Sequence, residues 1–255
     1  MELTAALLLG LFFAGYFLLG GADIGLGMLL PYLGRDRAER DLVAAGFWPM
    51  FLANEVWLVA AAGVFIGCFP HLEGELFSGL LLVLVPVLAG WMIRDAGIWW
   101  RRQLPAAGDV LIVVGSWLLA LGWGWAVASL LSEHHDAPAP FAVGAPTAAA
   151  VALLFMTHGM GYAALRLTGR PFQRARMMAG RRAGGNSFAL TSVVMAAMPV
   201  LAGAGLPLTE HAADERSLRL LVPVLIAVLP LLIAAQAWLW RTFGGRAEPT
   251  DRAYF

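Results

Sequence analysis

The sequence contains one cysteine, no lysine and few charged residues of either sign. Cys68 alone cannot form an internal disulfide, a thiolate metal cluster or a CxxCH haem attachment. Asp, Glu, Lys and Arg make up 13% of the 255 residues, against about 25% in soluble domains. The 17 basic and 17 acidic residues give zero net charge, and we expect no nucleic-acid partner. This composition excludes an ordinary water-soluble domain.

Apolar sequence makes up most of the chain: 60% of the residues are hydrophobic and the mean hydropathy is +0.74. A helix needs roughly 20 apolar residues to cross about 30 Å of hydrocarbon. Seven stretches are long enough: Leu3–Leu33, Leu42–Phe69, Leu76–Trp100, Val110–Leu131, Gly144–Leu167, Ser187–Gly205 and Leu218–Trp240. Continuous apolar runs favour helices over a barrel, whose strands alternate apolar and polar residues. The sequence therefore predicts an all-α integral membrane protein with seven transmembrane helices.

The distribution of arginine predicts the orientation of these helices. Arginines concentrate in residues 35–40, 101–102, 166–182 and 241–252, whereas the alternate connections carry mostly His, Asp and Glu. Connections rich in arginine stay in the cytoplasm, so we expect the N-terminus outside and the C-terminus inside. A Pro- and Ala-rich connection after residue 131 suggests a division. We expect a four-helix bundle in residues 1–131, and three helices and a cytoplasmic tail in residues 132–255.

Four charged residues fall within the first three apolar stretches: Asp23, Glu55, Arg94 and Asp95. A charge inside the bilayer costs at least about 2.5 kcal/mol, so such residues usually line a pathway or have a partner. The rise per residue places Asp23 about 15 Å, Glu55 about 21 Å and the Arg94–Asp95 pair about 10 Å below the cytoplasmic surface. A ladder of this kind is what a path for proton entry requires.

Two structural alternatives remain for these charges. Asp23 and Arg94 could form a buried ion pair that only fixes the packing of helices. Glu55 is either protonated at rest or paired across helices, because its own stretch has no basic residue at that depth. Its neighbours Asn54 and Trp57 are also unusual, since a tryptophan in mid-span does not fit an interfacial belt. The predicted buried polar network is Asp23, Asn54, Glu55, Trp57, Arg94 and Asp95.

His158 is the only histidine within an apolar stretch. One histidine cannot supply both axial ligands of a low-spin haem, and a lone buried histidine more often hydrogen-bonds a neighbouring helix. We therefore expect the chain alone to bind no haem, metal or other cofactor, and to contain no catalytic residue.

Ordered motifs run through the first 102 residues. They are GGADIGLGML at residues 20–29, LGR and ER at residues 33–40, FLANEVWL at residues 51–58, FP at residues 69–70, FSG at residues 77–79, and RDAGIWWR at residues 94–101. In order and spacing this string resembles the second, haem-free subunit of the cytochrome bd-type quinol oxidases. Members of that family carry D-G-F-D-x-G-x-G-M-L, L-G-R-x-x-x-E-R, W-D-G-N-[EQ]-V-W-L and R-G-V-A-F-E-[FY]-R at these places.

Three acidic positions of the family pattern are missing. Gly20 occupies the position of the first aspartate of D-G-F-D, and Leu52 or Ala53 occupies that of the aspartate of W-D-G-N. Trp99 occupies the position of the glutamate of F-E-[FY]-R. Family members also commonly have eight spans. The resemblance therefore indicates a divergent, shortened member whose proton path is rerouted.

The resemblance implies a subunit that is not catalytic alone. Its partner, the first subunit, would carry haems b and d and the quinol site, where quinol is oxidised and oxygen is reduced to water. This chain would scaffold that subunit and supply part of a proton or oxygen route. Small single-helix subunits and membrane lipid are further partners expected in such a complex. The location implied is the cytoplasmic membrane of a bacterium or archaeon.

Two other classes of function are compatible with intramembrane acids. An ion- or proton-coupled transporter would also place carboxylates at mid-membrane, but no matching pair of broken helices occurs in the C-terminal half. A purely structural assembly subunit would account for the missing acidic positions.

Overall fold

Helices account for all the regular secondary structure in the part of the chain that the computed structural model describes, which is residues 1–132, 137–178 and 185–248. They are α1 Glu2–Leu33, α2 Arg37–Phe47, α3 Phe51–Cys68, α4 Pro70–Gly79, α5 Leu81–Trp100, α6 Pro105–Leu130, α7 Phe141–Arg166, α8 Gly169–Met178, α9 Gly185–Ala202 with a 3₁₀ turn at Gly203–Gly205, and α10 Glu215–Phe243. Seven of these helices, α1, α3, α5, α6, α7, α9 and α10, are long and apolar enough to cross a membrane. The predicted all-α membrane fold with seven spans is confirmed.

The predicted starts of the second and third spans are wrong. Residues 42–47 belong to the separate helix α2, and α3 begins only at Phe51. Asp36 caps α2 by accepting a 2.9 Å hydrogen bond from the Glu39 amide, and Pro49 lies in the turn before α3. In the same way, Pro70 starts the short helix α4, so that α5 begins at Leu81 and not at Leu76.

Helix α1 lies at the centre of the protein, in contact with α3, α6, α7 and α9. Its middle is rich in glycine, and Gly25 faces Gly159 of α7 at a point where the two backbones touch. A Cβ on Gly25 would lie 2.0 Å from the Phe155 carbonyl oxygen, so only glycine permits this crossing. Helices α5 and α6 form another close pair, and α10 packs on α3. The division into residues 1–131 and 132–255 stays a prediction.

One end of the helix bundle carries what we call the arginine-rich face, defined by Arg40, Arg101, Arg166 and Arg174 with their partners. Arg101 links α5 to Asp109 of α6 at 2.7 Å and to Asp41 of α2 at 2.6 Å. Arg166 donates to the backbone carbonyls of Gly46 and Gly245. The arginine-bearing connections that the sequence assigned to one side of the membrane thus meet at one end of the fold.

Candidate functional site

The site begins with Asp23, which lies in the glycine-rich part of α1 and is 1% exposed. Its Oδ2 atom accepts a 2.6 Å hydrogen bond from Asn54 Nδ2 of α3. The same amide nitrogen lies 3.3 Å from the Leu19 carbonyl oxygen. The other carboxylate oxygen, Oδ1, has no hydrogen-bond partner among the described residues. Asp23 therefore has one oxygen held by Asn54 and one buried oxygen that no described residue holds.

Glu55, next to Asn54 on α3, is paired with α5. Arg94 Nη1 lies 2.9 Å from Glu55 Oε1 and 3.1 Å from Asp95 Oδ1. The guanidinium also lies over the rings of Phe47 and Phe51, with 6.0 and 5.9 Å between Cζ and the ring centroids. One arginine thus faces two carboxylates in an aromatic surrounding that water does not reach freely. This arrangement stabilises the cation but leaves a net negative charge on the group when both acids are ionised.

The structure brings all six predicted site residues together, but with pairings that differ from the alternative of a direct Asp23–Arg94 ion pair. Among the described residues, the salt-bridge partners of Arg94 are Glu55 and Asp95, and Asp23 is held by Asn54. Glu55 is also nearer the helix end than predicted. It lies four residues into α3, which corresponds to about 6 Å of rise and not 21 Å. The predicted ladder is therefore one contiguous cluster, in which α3 contacts Asp23 of α1 through Asn54 and Arg94 of α5 through Glu55.

A small cavity separates the two halves of this cluster. Its wall includes Asp23, Glu55 and Arg94, with Tyr16, Gly20, Ile24, Phe51, Trp91 and Leu119 completing the lining. The cavity has room for about one water molecule. Arg94 Nε, like Asp23 Oδ1, is buried without a hydrogen-bond partner among the described residues. A cavity of this size between an acid and an ion pair, with unpaired polar atoms on two of its lining residues, suits the exchange of a proton through water.

Gln236, which α10 contributes to the site, is not among the residues predicted from the sequence. Its Nε2 atom donates to Asn54 Oδ1 at 2.8 Å, and its Oε1 atom accepts from Trp57 Nε1 at 3.4 Å. Trp57 is buried because its indole ring lies against Gly15 of α1, where a Cβ would come within 2.1 Å of the ring. The signal that could have identified Gln236 is its position in the apolar run of α10, where an amide needs a partner.

Glycines of α5 and α6 hold Arg94 at the site. A Cβ on Gly115 of α6 would lie 2.4 Å from Arg94 N and 2.5 Å from the Gly90 carbonyl oxygen. Both of these atoms belong to the α5 backbone, so a side chain at residue 115 would push α5 away. This close crossing fixes the position of the Arg94 backbone relative to α6.

His158 makes contacts that fit a structural role. Its Nε2 atom lies 2.9 Å from the Leu18 carbonyl oxygen of α1, and its Nδ1 atom lies 2.9 Å from Thr191 Oγ1 of α9. Because a carbonyl oxygen can only accept, Nε2 carries the proton. Both ring nitrogens are thus engaged with neighbouring helices. Within the described residues, no cluster of three or more His, Cys, Asp or Glu side chains could hold a metal ion.

Outside the membrane spans, the arginine-rich face contains Glu39, whose pKa is strongly lowered. Arg174 of α8 donates two hydrogen bonds to the Glu39 carboxylate, at 2.6 and 3.1 Å. These bonds, together with the one donated by the Arg35 amide, lower the pKa of Glu39 to about 2. The same pairing raises the pKa of Arg174 above its ordinary value. This ion pair ties α2 to α8, away from the cluster around Asp23.

Comparison with known proteins identifies the family. The sequence model described as cytochrome bd terminal oxidase subunit II matches residues 1–209, which is most of the chain. This chain belongs to that family. The matched region includes Asp23, Asn54, Glu55, Trp57, Arg94 and Asp95, whereas α10 with Gln236 lies beyond it.

Three relatives show the extent of the similarity. Cytochrome bd-I ubiquinol oxidase subunit 2 of Escherichia coli (strain K12) is 32% identical over 130 residues, which cover 49% of this chain and 34% of the relative. Cytochrome bd ubiquinol oxidase subunit 2 of Bacillus subtilis is 28% identical over 188 residues, covering 68% of this chain and 56% of the relative. A probable cytochrome oxidase subunit 2 of Haemophilus influenzae is 30% identical over 122 residues, covering 46% and 32%. The matches thus span about a third to just over half of the relatives' length.

Proposed function

We propose that this chain is the haem-free membrane subunit of a bd-type quinol oxidase, and that Asp23 and Glu55 carry protons towards the oxygen-reducing site. The complex would oxidise quinol, reduce oxygen to water and take up the protons from the cytoplasm. The observation that carries the proposal is the cavity between Asp23 and the Glu55–Arg94 pair, in a member of this subunit family.

The partner in this proposal is a first subunit that carries haems b and d and the quinol site. Small single-helix subunits and lipid would complete the complex in the cytoplasmic membrane of a bacterium or archaeon. The family match supports a subunit role, since the relatives are named as second subunits of oxidases. It does not favour the alternative of an ion- or proton-coupled transporter.

We place the arginine-rich face in the cytoplasm and the N-terminus of α1 outside, as the arginine distribution predicts. Glu55 and Asp95 then lie on the inner half of the membrane, Glu55 about one helical turn from the start of α3. Protons would reach this cluster from the cytoplasmic side and pass between Glu55 and Asp23 through the cavity. From there they would enter the partner subunit.

The test replaces Glu55 by glutamine, which keeps the shape of the side chain but cannot exchange a proton. In the purified complex, Glu55→Gln should slow quinol-driven oxygen consumption per haem while the haem content stays normal. Glu75→Gln, at an exposed residue of α4, is the matched control and should change neither quantity. Normal turnover per haem in Glu55→Gln would contradict the proposal and leave this chain as a structural subunit, the other alternative.

A further inference from the structure

Asp23 is the last member of a chain of three side-chain hydrogen bonds that starts at Trp57. Trp57 Nε1 donates to Gln236 Oε1, Gln236 Nε2 donates to Asn54 Oδ1, and Asn54 Nδ2 donates to Asp23 Oδ2. The distances are 3.4, 2.8 and 2.6 Å along this order. The chain joins α3, α10 and α1, and all four side chains are buried.

The direction of these bonds is fixed at both ends. An indole nitrogen can only donate, so Trp57 requires the oxygen of the Gln236 amide to face it. The Leu19 carbonyl can only accept, and it lies 3.3 Å from the Asn54 amide nitrogen. Turning both amides over would set donor against donor at Trp57 and acceptor against acceptor at Leu19. The two ends therefore select the same orientation of Gln236 and Asn54.

We propose that Trp57, Gln236 and Asn54 form a one-way relay that keeps Asp23 Oδ2 a hydrogen-bond acceptor, so that Asp23 gains and loses its proton through Oδ1 alone. Oδ1 is the oxygen without a partner among the described residues, and Asp23 lines the cavity shared with Glu55 and Arg94. The relay thus directs proton exchange by Asp23 towards that cavity. Gln236 is a positioning residue, since it acts on Asp23 only through Asn54.

The relay deepens the proposed function and rests on it, because the proton that Asp23 exchanges is taken to be one carried towards the oxygen-reducing site. It assigns a role to α10, which lies outside the residues that the family model matches. Apart from Glu2 in its first turn, Asp23 is the acidic residue of α1. The Gln236 amide of α10, acting through Asn54, then determines which oxygen of Asp23 takes the proton.

The experiment is infrared difference spectroscopy of the purified complex during a pH titration, with Asp23→Asn used to assign the carboxyl C=O stretching band of Asp23. The native protein should show one narrow band, because only one oxygen can carry the proton. Gln236→Leu should shift and broaden that band, since Asn54 Oδ1 loses its donor. Trp57→Phe should act in the same direction but less, because its hydrogen bond is the longest of the three.

Trp125→Phe is the matched control. Trp125 donates from its indole to the Ala139 carbonyl at 3.0 Å, outside the cluster, and its replacement should leave the Asp23 band unmoved. If Gln236→Leu fails to assemble, Trp57→Phe still decides the question. An unmoved band in the assembled relay variants, or no band that depends on Asp23, would overturn the proposal. A moved band with normal oxygen consumption in Glu55→Gln would uphold the relay and reject the proposed proton route.

Discussion

Glu55 and Arg94 join two helices that otherwise share few close backbone contacts. The 2.9 Å ion pair runs from α3 to α5, while α5 packs mainly against α6. The small cavity lies beside this pair and is lined by residues of both helices. The ion pair is therefore a tether between helices as well as a part of the candidate proton route.

Replacing Arg94 by alanine should destabilise the protein strongly. Glu55 and Asp95 would lose their shared cation, and breaking a buried pair from one side costs about 3–5 kcal/mol. We expect a lower free energy of unfolding in detergent and a lower yield of assembled complex. Arg102→Ala is the control, because Arg102 is exposed and such changes stay within about 0.5 kcal/mol. Arg101 would be a poor control, since it bridges Asp41 and Asp109. Equal stability of the two variants would reject the tether.

Because α5 and α6 cross closely, even a methyl group at residue 115 should lower the free energy of unfolding. Gly115→Ala places a methyl group 2.4 Å from Arg94 N, and backbone atoms cannot move aside as a flexible side chain could. Overpacking of this kind costs about 1–3 kcal/mol. The free energy of unfolding measures the loss. Gly63→Ala, on α3 with no atom within 4 Å of the added Cβ, should be neutral or slightly stabilising. Similar effects at the two positions would contradict the crossing.

The pairing of Glu39 with Arg174 predicts a pH-dependent contribution to stability. The folded-state pKa of about 2 lies below the ordinary value of 4.5, so the contribution is present above pH 4.5 and is lost as the pH falls towards 2. Glu39→Gln should therefore be less stable than the native protein near neutral pH, and the difference should narrow below pH 4.5. Thermal unfolding at several pH values measures this difference. A gap that stays constant down to pH 3 would show that the ion pair does not cause it.

Both ring nitrogens of His158 have hydrogen-bond partners on α1 and α9, so neither nitrogen is placed to ligate a haem iron. We expect the chain expressed alone to give no stoichiometric haem signal in a reduced-minus-oxidised spectrum. His158→Gln should lower stability, because Leu18 and Thr191 lose a rigid partner, without changing the haem content of the complex. A loss of haem with normal assembly in this variant would assign His158 a ligand role instead.

Motifs and intramembrane charges indicate six residues that the fold brings together, but neither Gln236 nor the way these residues pair. Hydropathy cannot distinguish residues that face lipid from residues that face protein. Val43, Ala44 and Phe47 of α2 are apolar because they pack in the core, and counting them as membrane span put Glu55 too deep. Gln236 carries no motif, and its contact with Asn54 joins residues 182 positions apart. Such a contact depends on how α10 packs on α3, which no local pattern specifies.

The proton route itself predicts that Asp23 and Glu55 act as one unit. Asp23→Asn should slow oxygen consumption per haem, as Glu55→Gln does, because each variant blocks the same path at one side of the cavity. The double variant should be little slower than the slower single variant, since a path that is blocked once gains little from a second block. Turnover per haem with excess quinol, at fixed pH, is the measurement. If the two residues belonged to separate routes, their effects on the logarithm of the rate would add. Additive effects would place Asp23 and Glu55 on different paths and would remove the cavity as the link between them.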